Sequence, residues 1–310
     1  MLNELARLRI GVGAPLPGEG PLEIEIDVFA LARLAEPAAL LFCMPGGGMN
    51  RNYFNLSAEG ASFAKFMAAQ GFIVVTLDHL GIGGSSRPKN GFAATSAVLS
   101  AANGLVFEEV TRRLRDGALH KALPPLARFT PIGVGHSMGA MLVSLQQDMR
   151  HDFAGLMLLS FGTCGMPQVL SDEDRAALEL PDRGLSLLPE LAAKRFGGLA
   201  YAPISRIRGS SAASKALEEA ADEVPAVPAS HSMMPGNIKD EIARLDVPVL
   251  LAAGDRDVVG PPRELPAQFA SAKDITLIVI EQCGHHPFVS VDSPRFMARA
   301  ADWVRGQAKK

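Results

Sequence analysis

In Gly135-His136-Ser137-Met138-Gly139, a serine lies between two glycines at the point where a predicted strand meets a predicted helix. The residues before it, Pro131-Ile132-Gly133-Val134, have the composition of a short buried strand, and a helical pattern begins at Ala140. This arrangement is typical of a nucleophile elbow, a sharp turn that exposes a serine hydroxyl at the edge of a sheet. Glycine is needed on both sides because a side chain there would strike the backbone of the turn. Ser137 is therefore the first candidate catalytic residue.

Strand-like and helix-like segments alternate through most of the chain, which is the pattern of a parallel sheet covered by helices. Short apolar runs of the buried-strand type occur at 39–44, 72–77, 155–160, 247–253 and 275–280. Helical patterns occur at 57–70, 93–117 and 293–307. Between Leu22 and Val28, apolar and acidic residues alternate, which predicts a strand with one wet face, suited to a sheet edge. The predicted fold class is α/β, with a mostly parallel central sheet flanked by helices.

The composition of the 310 residues limits the class of protein. Hydrophobic residues make up 48% and charged residues 20%, enough for the core of one large domain with an insertion. The net charge of −3, without a long run of either sign, argues against nucleic acid and anionic membrane as partners. Cys43, Cys164 and Cys283 are widely spaced and fit small buried positions, so neither disulfides nor a metal site is expected. With no signal peptide and no apolar run of membrane-spanning length, we expect a cytoplasmic protein without a cofactor.

Two later loops offer partners for the serine. Gly254-Asp255-Arg256-Asp257 follows the strand pattern at 247–253, and Gly284-His285-His286 follows the pattern at 275–280. In open α/β sheets, functional groups gather on the loops that leave the carboxyl ends of the strands. A serine hydroxyl needs an imidazole to remove its proton and a carboxylate to orient that imidazole, so these residue types indicate nucleophilic catalysis without a metal. Each loop leaves two candidates: Asp257 or Asp255 for the acid, and His285 or His286 for the base.

A site for the negatively charged oxygen of the reaction is predicted after the strand at 39–44. There the chain reads Pro45-Gly46-Gly47-Gly48, and glycines let backbone N–H groups face a substrate without an intervening side chain. A second donor is predicted at the N–H of Met138, which begins a helix and gains from the helix dipole. The loop and the elbow together predict an oxyanion hole.

These motifs resemble the α/β-hydrolase fold superfamily, and the resemblance covers nearly the whole chain. It is carried by the glycine loop at 45–48, Asp78-His79-Leu80-Gly81-Ile82-Gly83-Gly84-Ser85, the elbow, and the loops at 254–257 and 284–285. The resemblance implies a catalytic triad and an oxyanion hole made of Ser137, Asp257, His285, Gly47 and Met138. In this arrangement Asp255 would anchor its own loop, and the N–H of Gly46 could replace that of Gly47 as an oxyanion donor. In the family the glycine loop often begins with histidine, so Pro45 is a departure.

The alternation stops between residues 162 and 236, where helical pieces and several prolines replace it, and this segment is interpreted as an insertion. The resemblance implies a helical cap at 164–235 over a core made of 1–163 and 236–310. A cap would shape a substrate pocket, for which Phe161, Met166, Met233 and Met234 are candidate lining residues. Ordinary packing of the cap on the core is the alternative for these side chains. His136 and the isolated histidines, including His79, are expected to have structural roles.

The predicted function is cleavage of a carboxylic ester or a related acyl bond, such as a lactone or thioester, through an acyl-enzyme. The substrate is expected to be a small molecule, and apolar pocket residues would favour an apolar acyl or alcohol group. Acyl transfer, perhydrolysis and C–C bond hydrolysis use similar triads and remain open. A non-catalytic ligand-binding protein of the same fold is the alternative from another class. The sequence does not predict an oligomeric state.

Overall fold

The computed structural model describes residues 4–31, 34–35, 37–204 and 211–309. Within these ranges the strands are β1 (Glu4–Gly11), β2 (Glu23–Phe29), β3 (Ala39–Met44), β4 (Ile73–Leu77), β5 (Thr130–His136), β6 (Gly155–Leu159), β7 (Tyr201–Pro203), β8 (Glu223–Pro225), β9 (Val249–Gly254) and β10 (Ile275–Ile280). The α-helices are α1 (Phe63–Ala69), α2 (Ser96–Arg115), α3 (Met138–Arg150), α4 (Asp172–Leu178), α5 (Leu188–Arg195), α6 (Ala212–Ala220), α7 (Ala226–Met233), α8 (Lys239–Arg244) and α9 (Ser293–Ala308). Among these helices, none combines the length and apolar character that a bilayer crossing requires.

The central sheet has eight strands in the order β1-β2-β4-β3-β5-β6-β9-β10. Neighbouring strands run parallel from β4 to β10, whereas β2 is antiparallel to both β1 and β4. The prediction of an α/β fold with a mostly parallel sheet is therefore confirmed. Because the parallel strands point the same way, the loops after β3, β4, β5, β9 and β10 meet at one edge, where the candidate residues lie.

Alternate side chains of the central strands enter two separate apolar clusters, one on each face of the sheet. On β3, Leu40 and Phe42 pack in the cluster with α2 and α3, whereas Leu41 and Cys43 pack in the cluster with α1 and α9. All six residues of β3 are buried. Burial on both faces explains why this strand reads as a continuous apolar run rather than as an alternating one.

The helices predicted at 93–117 and 293–307 are present as α2 and α9, but the one predicted at 57–70 begins later. Its first residue is Phe63, because the Ser62 hydroxyl caps the helix by accepting the N–H of Lys65 at 3.2 Å. A threonine hydroxyl has the same role before α2, where Thr95 accepts the N–H of Val98. The capping side chains therefore indicate the first residue of each helix more precisely than the spacing of apolar residues does.

The edge position predicted for the strand at 22–28 is wrong. This strand is β2, and β1 lies outside it in an antiparallel pair. The expected wet face is covered only toward its carboxyl end, since Glu23 is exposed, Glu25 is half-buried and Asp27 is 1% exposed. Its carboxylate accepts hydrogen bonds from Arg7 at 2.8 Å and from Arg51 at 2.9 Å. Two arginines thus neutralise an acidic residue whose position in the pattern predicts contact with water.

The segment at 164–235 contains α4 to α7 and, beyond the predicted helices, a small antiparallel pair of strands, β7 and β8. Residues 205–210 of this predicted cap lie outside the described residues. Side chains of α4, α5 and α7 form a small apolar cluster of their own. The segment is fastened to the loop after β3, where Asp222 donates its N–H to Gly48 at 2.8 Å and Asn50 donates to Ala220 at 2.9 Å.

Candidate active site

The turn between β5 and α3 has the geometry of a strained elbow. Ser137 has φ 52° and ψ −121°, a conformation that L-residues rarely adopt. A Cβ on Gly135 would lie 2.4 Å from Cα of Ala140, and a Cβ on Gly139 would lie 2.1 Å from the carbonyl oxygen of Met44. The prediction that both flanking positions require glycine is thereby confirmed. The strain holds the Ser137 hydroxyl at the loop-bearing edge of the sheet.

Three of the predicted residues form one hydrogen-bonded chain. The Ser137 hydroxyl lies 2.9 Å from Nε2 of His285, and Nδ1 of His285 lies 2.8 Å from Oδ1 of Asp257. Because an ionised carboxylate only accepts hydrogen bonds, the imidazole proton is on Nδ1 and Nε2 is free to accept the serine proton. This is the arrangement that lets an imidazole act as a general base toward a serine.

The environment of Asp257 keeps this carboxyl group ionised. Its side chain is fully buried, which by itself raises its pKa. The hydrogen bond and positive charge of His285 outweigh burial and hold the pKa of Asp257 below its ordinary value. A negative charge at this place stabilises an imidazolium on His285.

The two rival residues have other partners. Asp255 accepts the backbone N–H of Cys283 at 3.1 Å, and backbone N–H groups of Gln282 and Cys283 hold the pKa of Asp255 below its ordinary value. Nδ1 of His286 lies 3.4 Å from the Tyr53 hydroxyl. Burial, followed by the charge of His285, lowers the pKa of His286 to about 4, so this imidazole is neutral. Both residues therefore border the hydrogen-bonded chain without belonging to it.

His136, which precedes the serine, reaches the loop that carries the candidate base. Its Nε2–H donates to the backbone carbonyl of His285 at 2.7 Å, and its ring stacks on Tyr53 with centroids 4.4 Å apart. Burial, followed by the charge of His285, lowers its pKa well below the ordinary value. The side chain of His136 thus ties the elbow to the His285 loop, in keeping with the structural role expected for it.

The glycine loop runs beside the elbow. A Cβ on Gly46 would lie 2.8 Å from Nδ1 of His136 and 3.2 Å from Cβ of Ser137. In the part of the chain that the structure describes, neither the N–H of Gly47 nor that of Met138 donates to a protein acceptor. Both predicted oxyanion donors are therefore available to a ligand.

Two buried residues for which the sequence predicts no specific contact, His79 and Asn103, support this loop. Nε2–H of His79 donates to the carbonyl oxygen of Pro45 at 3.0 Å, and the amide of Asn103 contacts Nδ1 of His79 at 3.2 Å. Both side chains are fully buried, and burial lowers the pKa of His79 to about 4 despite these bonds. The packing role expected for His79 thus includes a specific hydrogen bond, and neither spacing nor periodicity indicates it.

Arg51 joins the loops after β3 and β4, a role that the sequence pattern did not predict. Its guanidinium contacts the carboxylates of Glu25, Asp27 and Asp78, and its backbone N–H donates to Asp78 at 2.7 Å. Only 7% of its side chain is exposed. Asp78 also accepts the N–H of Gly84 at 2.8 Å, so one buried carboxylate fixes both loops.

The family of this chain follows from its similarity to known proteins. The model of the alpha/beta hydrolase family matches residues 40–300. The chain belongs to this family. The prediction drawn from the elbow and its partner loops, an α/β-hydrolase enzyme, is thereby confirmed.

The individual proteins that resemble this α/β-hydrolase either match a short stretch of it or have low sequence identity. Over 92 residues the chain is 34% identical to a pimeloyl-[acyl-carrier protein] methyl ester esterase of Neisseria meningitidis, and the match spans 30% of this chain and 32% of that protein. A thermophilic esterase from Thermogutta terrifontis has a TM-score of 0.64 at 16% identity, covering 97% of this chain and 99% of its own. A monoacylglycerol lipase from Paleococcus ferrophilus has a TM-score of 0.63 at 18% identity, covering 92% and 99%. These structural likenesses show a shared fold.

Two of the four predicted pocket residues of this α/β-hydrolase belong to apolar clusters. Phe161 is buried in the main core, and Met234 is buried in the small cluster of the 164–235 segment. Met166 and Met233 are half-buried. Packing therefore accounts for Phe161 and Met234. Other side chains of the 164–235 segment approach the glycine loop, and a Cβ on Gly48 would lie 2.3 Å from Cγ2 of Ile204. A Cβ on Gly47 would lie 3.7 Å from Cγ1 of Val224 and 3.9 Å from Cβ of Ala229.

No group of three His, Cys, Asp or Glu side chains within the described ranges is arranged to hold a metal ion. The polar groups at the elbow are a serine, an imidazole, a carboxylate and backbone N–H donors. This set is chemically equipped for transfer of an acyl group to the serine and then to water.

Proposed function

We propose that this α/β-hydrolase cleaves a carboxylic ester or a related acyl bond through an acyl-enzyme on Ser137. The observation that carries the proposal is the hydrogen-bonded chain from Ser137 through His285 to Asp257, with separations of 2.9 and 2.8 Å. Asp257 is the acid and His285 the base in this proposal, because Asp255 and His286 are bonded elsewhere.

In the first half of the reaction, Oγ of Ser137 attacks the carbonyl carbon while Nε2 of His285 takes the hydroxyl proton. The carbonyl oxygen gains negative charge and accepts the N–H groups of Gly47 and Met138. Loss of one such donor typically costs about 3 kcal/mol of transition-state stabilisation. Collapse of the tetrahedral intermediate breaks the bond to the leaving group, which receives the proton from His285. The acyl group then remains bonded to Ser137.

In the second half, His285 takes a proton from a water molecule, and the oxygen of that water attacks the acyl carbon. The second tetrahedral intermediate uses the same two N–H donors. Its collapse releases the carboxylic acid, and His285 returns the proton to Oγ of Ser137. Asp257 stays ionised throughout and stabilises the imidazolium of each half-reaction.

We further propose that residues 164–235 form a cap over the site and that 1–163 and 236–310 form the core. Support comes from the isolated bridge between Met49 and Ala221 and from the approach of Val224 and Ala229 to Gly47. These two apolar side chains favour a small molecule with an apolar group next to the reacting carbonyl. The name of the Neisseria relative refers to a methyl ester, which agrees with ester cleavage.

The test is hydrolysis of p-nitrophenyl esters from acetyl to decanoyl by the wild-type protein, Ser137→Ala and Ser144→Ala. Ser144 is a matched control because its buried hydroxyl lies in α3 and donates to the carbonyl of Ala140 at 2.8 Å. We expect a rapid burst of p-nitrophenol followed by slower turnover, with both abolished by Ser137→Ala and retained by Ser144→Ala. Equal hydrolysis by wild type and Ser137→Ala, or none by the wild type with any ester, would overturn the proposal.

A further inference from the structure

A buried hydrogen-bonded pair, His79 and Asn103, lies behind the glycine loop and takes no direct part in the chemistry proposed above. His79 follows β4 and Asn103 lies in α2; both are 0% exposed. Nε2 of His79 is 3.0 Å from the carbonyl oxygen of Pro45, and Nδ1 is 3.2 Å from the side-chain nitrogen of Asn103. The pair therefore joins a helix and a strand end to the first residue of the loop.

The tautomer of His79 follows from its partners. A carbonyl oxygen can only accept a hydrogen bond, so Nε2 of His79 carries the proton that reaches Pro45. A neutral imidazole then has a lone pair on Nδ1, and the amide NH₂ of Asn103 donates to it. Burial keeps the imidazole neutral by lowering its pKa to about 4. Asn103 thus fixes the form of His79 that donates to the loop.

The loop that receives this bond contains one hydrogen bond of its own, in which the N–H of Met49 donates to the carbonyl of Gly46 at 3.2 Å and closes a turn over Gly47 and Gly48. Pro45 has no N–H, and the three glycines after it have no side chains and wide conformational freedom. The carbonyl of Pro45 also lies against the elbow, since a Cβ on Gly139 would be 2.4 Å from its oxygen. At its other end the loop is held by the bond from Asp222 to the carbonyl of Gly48, at 2.8 Å. The direction of the Gly47 N–H therefore depends on this turn and on the anchor at each of its ends.

We propose that His79 is a positioning residue for the oxyanion hole: with its tautomer fixed by Asn103, it holds the Pro45 carbonyl and so aims the Gly47 N–H at the reacting carbonyl oxygen. The inference rests on the proposed acyl hydrolysis and assigns a residue that acts through the loop. The developing oxyanion needs this donor more than the ground-state ester does, so loss of the anchor lowers kcat with little change in KM.

The experiment compares His79→Leu, His79→Gln, Asn103→Leu and a control, His231→Leu. His231 is a matched control because it is also buried and neutral, with Nδ1 2.9 Å from the Ser96 hydroxyl and Nε2–H donating to the Asn237 carbonyl at 3.3 Å. Each variant is assayed for kcat and KM on one p-nitrophenyl ester. Each is also assayed for inhibition by an alkyl trifluoromethyl ketone, which forms a tetrahedral adduct whose oxyanion occupies the hole. Urea unfolding reports stability.

We expect His79→Leu to lower kcat about 10- to 100-fold, less than removal of a donor outright, with KM unchanged within about threefold. Inhibition by the ketone weakens by a similar factor. His79→Gln, whose amide can still donate to Pro45, recovers part of the loss, and Asn103→Leu loses less than His79→Leu. His231→Leu is destabilised but keeps kcat within about threefold of wild type. If His79→Leu does not fold, Asn103→Leu is the test variant, and we expect its kcat and its affinity for the ketone to fall.

Three results overturn the inference. Wild-type kcat in His79→Leu, or in Asn103→Leu if only that variant folds, shows that the loop holds its shape without the pair. Equal losses in His231→Leu and His79→Leu show a general effect of stability. Absence of any ester hydrolysis by the wild-type protein removes the proposed function and the inference with it, whereas the first two results leave the proposed function standing.

Discussion

Replacement of Asp257 by asparagine, compared with the same change at Asp255, separates the two acidic residues of the loop after β9. In Asp257→Asn the amide can turn its NH₂ toward Nδ1 of His285, which moves the imidazole proton to Nε2. That nitrogen then faces the Ser137 hydroxyl, 2.9 Å away, with a proton instead of a lone pair. If the amide turns its oxygen toward Nδ1 instead, the tautomer survives but the negative charge is lost. In either orientation His285 becomes a poor base.

The size of the effect follows from burial and distance. The Asp257 side chain is fully buried and lies 2.8 Å from Nδ1 of His285. At an effective dielectric constant of about 20, opposite charges about 4 Å apart attract by about 4 kcal/mol, which corresponds to about three powers of ten in rate. A wrong tautomer costs about 10⁴-fold in a Ser-His-Asp site. We therefore expect kcat on a p-nitrophenyl ester to fall by about 10³- to 10⁴-fold.

Asp255→Asn is the matched control. Its carboxylate bonds the Cys283 N–H at 3.1 Å, and an asparagine keeps an oxygen for that bond. A change of about 1 kcal/mol or less, or about fivefold in kcat, is expected. The assay is steady-state hydrolysis at pH 7 by both variants, with folding checked by circular dichroism. A fall of less than tenfold in Asp257→Asn, or a larger fall in Asp255→Asn, would refute the assignment of the acid.

The remaining predictions concern stability, measured as the free energy of unfolding in urea. Arg51→Met leaves the buried carboxylate of Asp78 without its cation and should lower that free energy by about 3–5 kcal/mol; an unchanged value would contradict the role given to Arg51. Gly306→Ala should raise it by up to about 1 kcal/mol, because Gly306 is exposed inside α9 and an added Cβ meets nothing within 4 Å; a loss would contradict this. The pKa of His286 is about 4 in the folded protein, whereas an unfolded histidine has its ordinary pKa of about 6.5. The unfolded chain therefore binds more protons than the folded protein between pH 4 and pH 6.5. As the pH is lowered through this range, His286 should reduce the free energy of unfolding by about 1.4 kcal/mol per pH unit. His286→Gln should flatten the pH dependence by that amount, and an identical slope would count against a neutral His286.

The local signals in the sequence predicted most of the sheet and the residues that meet at its edge. Ser137 could be found because the elbow needs glycine at two fixed positions, and backbone atoms do lie within 2.5 Å of where those side chains would be. Asp257 and His285 could be found because each follows a run of apolar residues that forms a buried or half-buried strand. A strand end is a local feature, and the parallel order of β5, β9 and β10 brings three such ends together.

The contacts that the sequence did not predict are those between distant segments. The acidic side chains of β2 alternate as if they faced water, and nothing in that alternation shows that Arg51 arrives from another loop to neutralise Asp27. The bond from His79 to Pro45 likewise joins residues 34 positions apart and has no periodic signature. Val224 and Ala229 approach Gly47 only because the 164–235 segment folds back onto the loop after β3. Tertiary packing decides each of these contacts.

Activation of Ser137 by His285 and Asp257 is tested most directly by labelling the folded protein with a fluorophosphonate, followed by mass spectrometry of its peptides. A serine activated by His285 and Asp257 should react rapidly and form an adduct on Ser137. Unfolding in urea before labelling should abolish the reaction, since the hydrogen-bonded chain that activates the hydroxyl no longer exists. We expect one adduct per folded chain, on Ser137. No adduct on Ser137 in the folded protein, or equal labelling of the folded and unfolded chains, would contradict it.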